Sequence, residues 1–169
     1  MTSGILEKVE ALLQVCRQRG LGLCTAESCT AGGVAAALAS VAGASDVLDR
    51  GWITYSNRAK CEELGVAPEL IEAHGAVSSS VVEAMAVGGM QRAQGVGRVA
   101  CIAVSGIAGP GGGSKEKPVG TVWMAVAMSD MQCISRCYHF SGDRGQIQAA
   151  SIGQAIGMLL EALIPGSNV

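Results

Sequence analysis

The chain has 169 residues, 49% of them hydrophobic, with a net charge of -2, a size that supports one core and no second domain of ordinary dimensions, so residues 1–169 are expected to form a single domain. With no Lys/Arg cluster of more than a few residues, it lacks the electrostatic hold that proteins take on DNA or RNA. The richest apolar stretch, Ala31 to Ala42, falls short of the roughly 20 residues that a bilayer demands, and Glu7, Lys8 and Glu10 interrupt the N-terminus where a signal peptide would be apolar, so no membrane partner and a cytoplasmic location are expected.

Apolar residues at Ile5, Leu6, Val9, Leu12, Leu13 and Cys16 keep helical spacing and predict an amphipathic helix from about Gly4 to Arg19, stopped by Gly20. The run Leu21 to Ala26 reads as a strand that enters the small-residue sequence Glu27-Ser28-Cys29-Thr30-Ala31-Gly32-Gly33 and then a helix from Val34 to Val41. Gly51 to Tyr55 reads as a second strand, followed by helices at Arg58 to Leu64, from Pro68 onward, and from Ser79 to Ala93. Three further strands are predicted at Arg98 to Val104, Val119 to Met128 and Gln132 to Phe140, the last two joined as a hairpin across Ser129-Asp130-Met131. A helix from Arg144 to Leu163 closes the chain before Pro165-Gly166. Strands alternating with helices, then a hairpin, predict an α/β fold: a three-layer α/β/α sandwich around a mixed, mostly parallel sheet of about five strands.

The seven cysteines include no CxxC pair and several stand inside apolar runs, so they read as reduced thiols used as small hydrophobes. His74 and His139 lie far apart with no cysteines clustered about them, so no metal and no cofactor is expected. The chain has no GxGxxG opening its first strand-helix unit, and Tyr55 and Lys60 miss the Tyr-x3-Lys spacing of short-chain dehydrogenases by one residue.

Ser28 stands where a strand turns into a helix, a place where a hydroxyl projects from a sheet edge and helix N–H groups face a developing oxyanion. On the residues alone it reads as a helix cap or as a nucleophile, with Cys29 as an alternative nucleophile. Tyr55 and Lys60 flank the same edge if their strands are neighbours, although a lysine on a helix is ordinarily a surface residue. The loop from Gly106 to Pro118 is too rich in glycine and proline for regular structure. It is either a linker or a concavity whose N–H groups bind an anion. Arg144, next to the capping candidate Asp143, is either solvated or a phosphate ligand.

Five ordered motifs carry a resemblance: Thr25 to Gly32, Thr54 to Lys60, Gly75 to Ser78, Ser105 to Trp123 and Phe140 to Arg144. Together they resemble the CinA C-terminal domain family, whose characterised members are nicotinamide mononucleotide amidohydrolases with a three-layer α/β/α fold. The resemblance implies hydrolysis of the nicotinamide carboxamide to an acid and ammonia, with Ser28 as nucleophile, Lys60 as general base and Tyr55 as a proton relay or orienting group. It places Cys29, Thr30, Ser105, Gly106, Gly109, Gly111, Gly112 and Arg144 around a small nucleotide substrate. A lysine serves as base only when neutral, which requires burial. A homodimer is expected from the apolar, Ala-rich helices. The rival reading is a nucleotide-binding or interaction module of the same fold without catalysis.

Overall fold

The computed structural model describes residues 3–93 and 97–164. The first helix, α1 (Ser3–Arg19), leads to β1 (Leu21–Glu27), α2 (Gly33–Ala39), a short 3-10 turn (Ala44–Asp46) and β2 (Leu48–Ile53). Three helices follow, α3 (Asn57–Leu64), α4 (Pro68–His74) and α5 (Ser79–Arg92), then β3 (Arg98–Gly106), β4 (Thr121–Met128), β5 (Met131–His139) and α6 (Arg144–Leu163). The five strands form one sheet in the order β2-β1-β3-β4-β5.

The sheet is mixed: β1 runs parallel to β2 and β3, whereas β4 is antiparallel to both β3 and β5. Parallel ladders are therefore half of the total, because the predicted hairpin adds an antiparallel ladder on each side of β4. The turn of that hairpin is Ser129-Asp130, and Met131 already belongs to β5.

Alternation along the strands sends side chains to two separate cores. Leu23, Ile102, Val104, Met124 and Val126 meet α1, α2 and α6 through Leu12, Leu13, Leu38 and Ile156. Cys24, Ala26, Cys101, Ala103, Ala125 and Ala127 face α3, α4 and α5 through Leu64, Ile71, Val82 and Met85. Helices thus cover both faces, as the sandwich predicted. The second face is built of Ala and Cys, so α5 settles close to the sheet. A Cβ on Gly89 would come within 2.6 Å of Cys101 Sγ. Cys16, Cys24, Cys29 and Cys101 are buried, and all seven thiols are free.

This topology gathers five connections at one edge of the sheet. The C-terminal ends of β1, β2 and β3 lie there, as do the start of β4 and the end of β5, because those two strands run in the directions that return the chain to it. The β1–α2, β2–α3, β3–β4 and β5–α6 connections therefore converge, and the α4–α5 turn joins them through Ser105 Oγ, which donates to the Ala76 carbonyl at 2.7 Å. An open α/β sheet places its ligand crevice at this edge.

Candidate active site

Ser28 follows directly on β1, and its N–H still donates to Val104 O at 2.9 Å, continuing the ladder with β3 by one residue. On the other side the end of β2 is tied in the same way, Thr54 N–H donating to Glu27 O at 2.8 Å. The chain then turns into α3, capped by Ser56 Oγ, which accepts from Ala59 N–H at 3.1 Å. That entry directs Lys60, on the first turn of α3, back under the sheet edge. Its Nζ donates to Ser28 Oγ at 3.1 Å and to Thr54 O at 2.8 Å.

Both partners are enclosed: Lys60 is 1% exposed and Ser28 8%. Burial pushes the Lys60 amine below its ordinary value of 10.5, because the ammonium loses its hydration. The neighbouring thiol moves the other way for the same reason: burial pushes Cys29 up to about 11, so it stays protonated near neutral pH.

Ser28, Cys29, Lys60, Tyr55, Arg144 and the loop from Ser105 to Gly112 line a cavity of about 260 Å³. The loop is no free linker. Ile107 N–H donates to Thr121 O at 2.9 Å and Gly120 N–H to Ile107 O at 2.7 Å, and Lys117 Nζ ties it to His74 O at 2.7 Å. Arg144 stands at the head of α6, behind an Asp143 whose side chain forms a capping box with Gln146. Its guanidinium donates to Gly109 O at 2.8 Å and to Tyr55 Oη at 2.6 Å.

Most residues singled out from sequence meet at this cavity, and three stand differently from the expectation. Thr30 is buried but does not line the cavity, and its hydroxyl has no partner among the described residues. Ser105 lines it, yet its hydroxyl is engaged with Ala76 O. Tyr55 is 56% exposed, and its hydroxyl pairs with Arg144, not with Ser28 or Lys60.

The N-terminus of α2 also differs from the open oxyanion site expected of it. The Glu27 carboxylate accepts from Gly32, Val34 and Ala35 N–H. The Cys29 and Thr30 N–H groups are left, and they donate to no oxygen among the described residues. Sequence reasoning passed over Glu27, whose signal is a charged residue ending an otherwise uncharged strand, and also Asn57, Ala76 and Val77, which line the cavity.

A larger cleft, about 640 Å³, opens at the other end of the sheet beside Arg17 and Asp46. Its one thiol, Cys16, is pushed up to about 12 by burial and so stays protonated near neutral pH. Among the described residues no cluster of three or more His, Cys, Asp or Glu could hold a metal, and no helix is long and apolar enough to cross a membrane.

The family model of the CinA C-terminal domain matches residues 6–163. The chain belongs to the CinA C-terminal domain family. A relative from Escherichia coli named nicotinamide-nucleotide amidohydrolase PncC is 41% identical over 162 residues, covering 96% of each chain. A CinA-like protein of Mycolicibacterium gilvum is 46% identical over 160 residues, which make up 95% of this chain but 36% of that longer protein. Among solved structures, the competence/damage inducible protein CihA of Agrobacterium tumefaciens superposes with a TM-score of 0.91 at 39% identity, over 96% of this chain and 97% of that one. A CinA superfamily protein of Klebsiella pneumoniae gives 0.87 at 36% identity, over 94% and 97%. The CinA C-terminal domain fold thus agrees with the sandwich read from the strand and helix pattern.

Proposed function

We propose that this chain hydrolyses the carboxamide of nicotinamide mononucleotide to nicotinate mononucleotide and ammonia, in pyridine nucleotide recycling, with Ser28 as nucleophile and Lys60 as general base. The observation that carries the reading is the buried contact of 3.1 Å between Lys60 Nζ and Ser28 Oγ, in surroundings that favour the neutral amine. The relatives named nicotinamide-nucleotide amidohydrolase supply the substrate.

A carboxamide is a poor electrophile, so the site must raise the nucleophilicity of the serine and stabilise the tetrahedral oxyanion. Neutral Lys60 keeps one N–H on Thr54 O and presents its lone pair to the Ser28 hydroxyl. It takes that proton as Oγ attacks the amide carbon, then hands it to the departing nitrogen. The oxyanion falls to the N–H group of Cys29, which lines the cavity. Water, deprotonated by Lys60, then releases the acid from the acyl-enzyme.

Arg144 and the loop from Gly106 to Gly112 serve the phosphate end. The guanidinium has donors to spare after Gly109 O and Tyr55 Oη, and the glycines allow backbone N–H groups close approach. Tyr55 then acts by orienting Arg144. The proposal includes a cytosolic homodimer of single-domain chains, for which the exposed Ile53 and Val119 offer apolar surface; sedimentation velocity reads its mass.

Incubation with the mononucleotide, followed by detection of ammonia and of the amide-to-acid mass change, tests the reading. Ser28→Ala and Lys60→Ala are each expected to abolish turnover with the fold intact, and the double variant to lose no more than either, because the two act as one unit. Binding without ammonia release would establish the non-catalytic module instead.

A further inference from the structure

Two side chains of charged type are buried among the described residues: Lys60, and Glu27 at 0% exposure. The proposed chemistry uses the first and leaves the second without a task. Glu27 ends β1 one residue before Ser28 and turns its carboxylate into the turn that follows. Its Oε2 accepts from Gly32 N–H and Val34 N–H, each at 3.0 Å, and its Oε1 from Ala35 N–H at 2.9 Å. The cap position of α2, Gly32, makes no side-chain bond of its own. The cap comes instead from the preceding strand.

The turn inside this clasp is strained. Ala31 has φ 52 and Gly32 φ 92, and a Cβ in the left-handed region crowds the following carbonyl. Two backbone bonds brace it, Ala31 N–H to Ser28 O at 3.1 Å and Gly33 N–H to Thr30 O at 2.9 Å. With the Ser28 N–H already committed to Val104, the path of the chain after Ser28 decides where its Oγ lies and where the Cys29 and Thr30 N–H groups point.

We infer that Glu27 is a positioning residue for the nucleophile: its carboxylate holds the turn from Ser28 to Gly32 in the left-handed path that presents Oγ to Lys60. The inference rests on the reading of Ser28 as nucleophile. The carboxylate is spent on the turn, both of its oxygens accepting from backbone N–H groups, while the Lys60 amine bonds to Ser28 Oγ and Thr54 O. A carboxylate aimed at that amine would hold it charged and idle. Glutamine cannot substitute, because its NH2 would confront an N–H at one end of the clasp.

Turnover of Glu27→Gln, with folding followed by circular dichroism, is the test. The expected result is a kcat lowered about tenfold or more, KM within about twofold and the acid limb of the pH profile unmoved. Adding Ala31→Gly should recover kcat several-fold, because glycine takes the left-handed conformation without the restraint. A kcat kept within about twofold, or no recovery from the glycine, overturns the inference. If Glu27→Gln does not fold, amide exchange of the wild-type enzyme decides. Gly32, Val34 and Ala35 should be protected, unlike the exposed first amides of an uncapped helix, and exchange at free-peptide rates would overturn it. Ser28→Ala run alongside separates the failures. Turnover in that variant sinks the nucleophile itself, whereas an inert Ser28→Ala beside a fully active Glu27→Gln sinks only the role of Glu27.

Discussion

Gly88 is a place where packing and the proposed chemistry are coupled. It lies in α5, where that helix crosses the end of α3, and an added Cβ would fall about 1 Å inside the 3.0 Å below which real Cβ contacts do not occur, against the carbonyl of Leu64. The obstacle is backbone, so relief must come from moving α3 and α5 apart. Leu64 is the last residue of the helix whose first turn carries Lys60. A shift of about 1 Å applied to a 3.1 Å bond takes the amine out of hydrogen-bond range of Ser28. Gly88→Ala should therefore cost about 1–3 kcal/mol through overpacking, a fall in Tm of about 2–12 °C for a domain of this size. Turnover should drop about 100-fold, the usual consequence of a misplacement of this size. Calorimetry and ammonia release read the two effects, with Gly4→Ala, which would meet nothing within 4 Å, as the control. An unchanged Tm would refute the packing argument. A lowered Tm with undiminished kcat would refute the claim that the seat of α3 sets the position of the base.

The remaining predictions concern single groups. Because burial lowers the Lys60 amine, kcat/KM should rise with pH as the ammonium loses its proton and level off below 10.5; a rate that declines across that rise would exclude a neutral amine as base. The same shift makes the unfolded chain bind the extra proton between the lowered value and 10.5, so stability should rise with pH across that window. Denaturant titrations of Lys60→Met should lack this slope. With Cys29 moved from 9.0 to about 11, its thiolate is about 100-fold scarcer near neutral pH; iodoacetamide should leave it unmodified, and Cys29→Ala should keep its activity. Tyr55→Phe removes the partner of one Arg144 donor and should raise KM about tenfold with kcat nearly constant. A collapse of kcat at unchanged KM would assign Tyr55 to proton transfer.

Periodicity served best where burial is one-sided or complete. The long helices α1, α5 and α6 and the buried strands β1 and β3 lie within two residues of their predicted bounds. The sequence pattern places β2 at Gly51 to Tyr55, but the strand spans Leu48–Ile53. It is an edge strand whose early residues Asp49 and Arg50 are solvated, so no apolar alternation marks where it begins. β4 starts two residues later than read, because Gly120 turns there with φ 92. In the site, the candidates Ser28 and Lys60 could be named from motifs, but their contact depends on β1 and β2 being neighbours, which no local pattern encodes. Glu27 escaped because its bonds reach five to eight residues ahead, beyond the three-residue spacing by which a capping box is recognised. The Tyr55–Arg144 pair joins residues 89 positions apart, and only the folded chain reveals it.

The seat of Lys60 has a thermal consequence. β2 is bound to the sheet along one side only, and its middle residues face water. Segments of that kind open at lower free energy than the body of a domain. A brief detachment of β2 together with α3 would admit solvent to the amine and let it protonate while the rest of the sandwich stayed closed. Reversible loss of activity on warming should then set in below the temperature at which the helices melt.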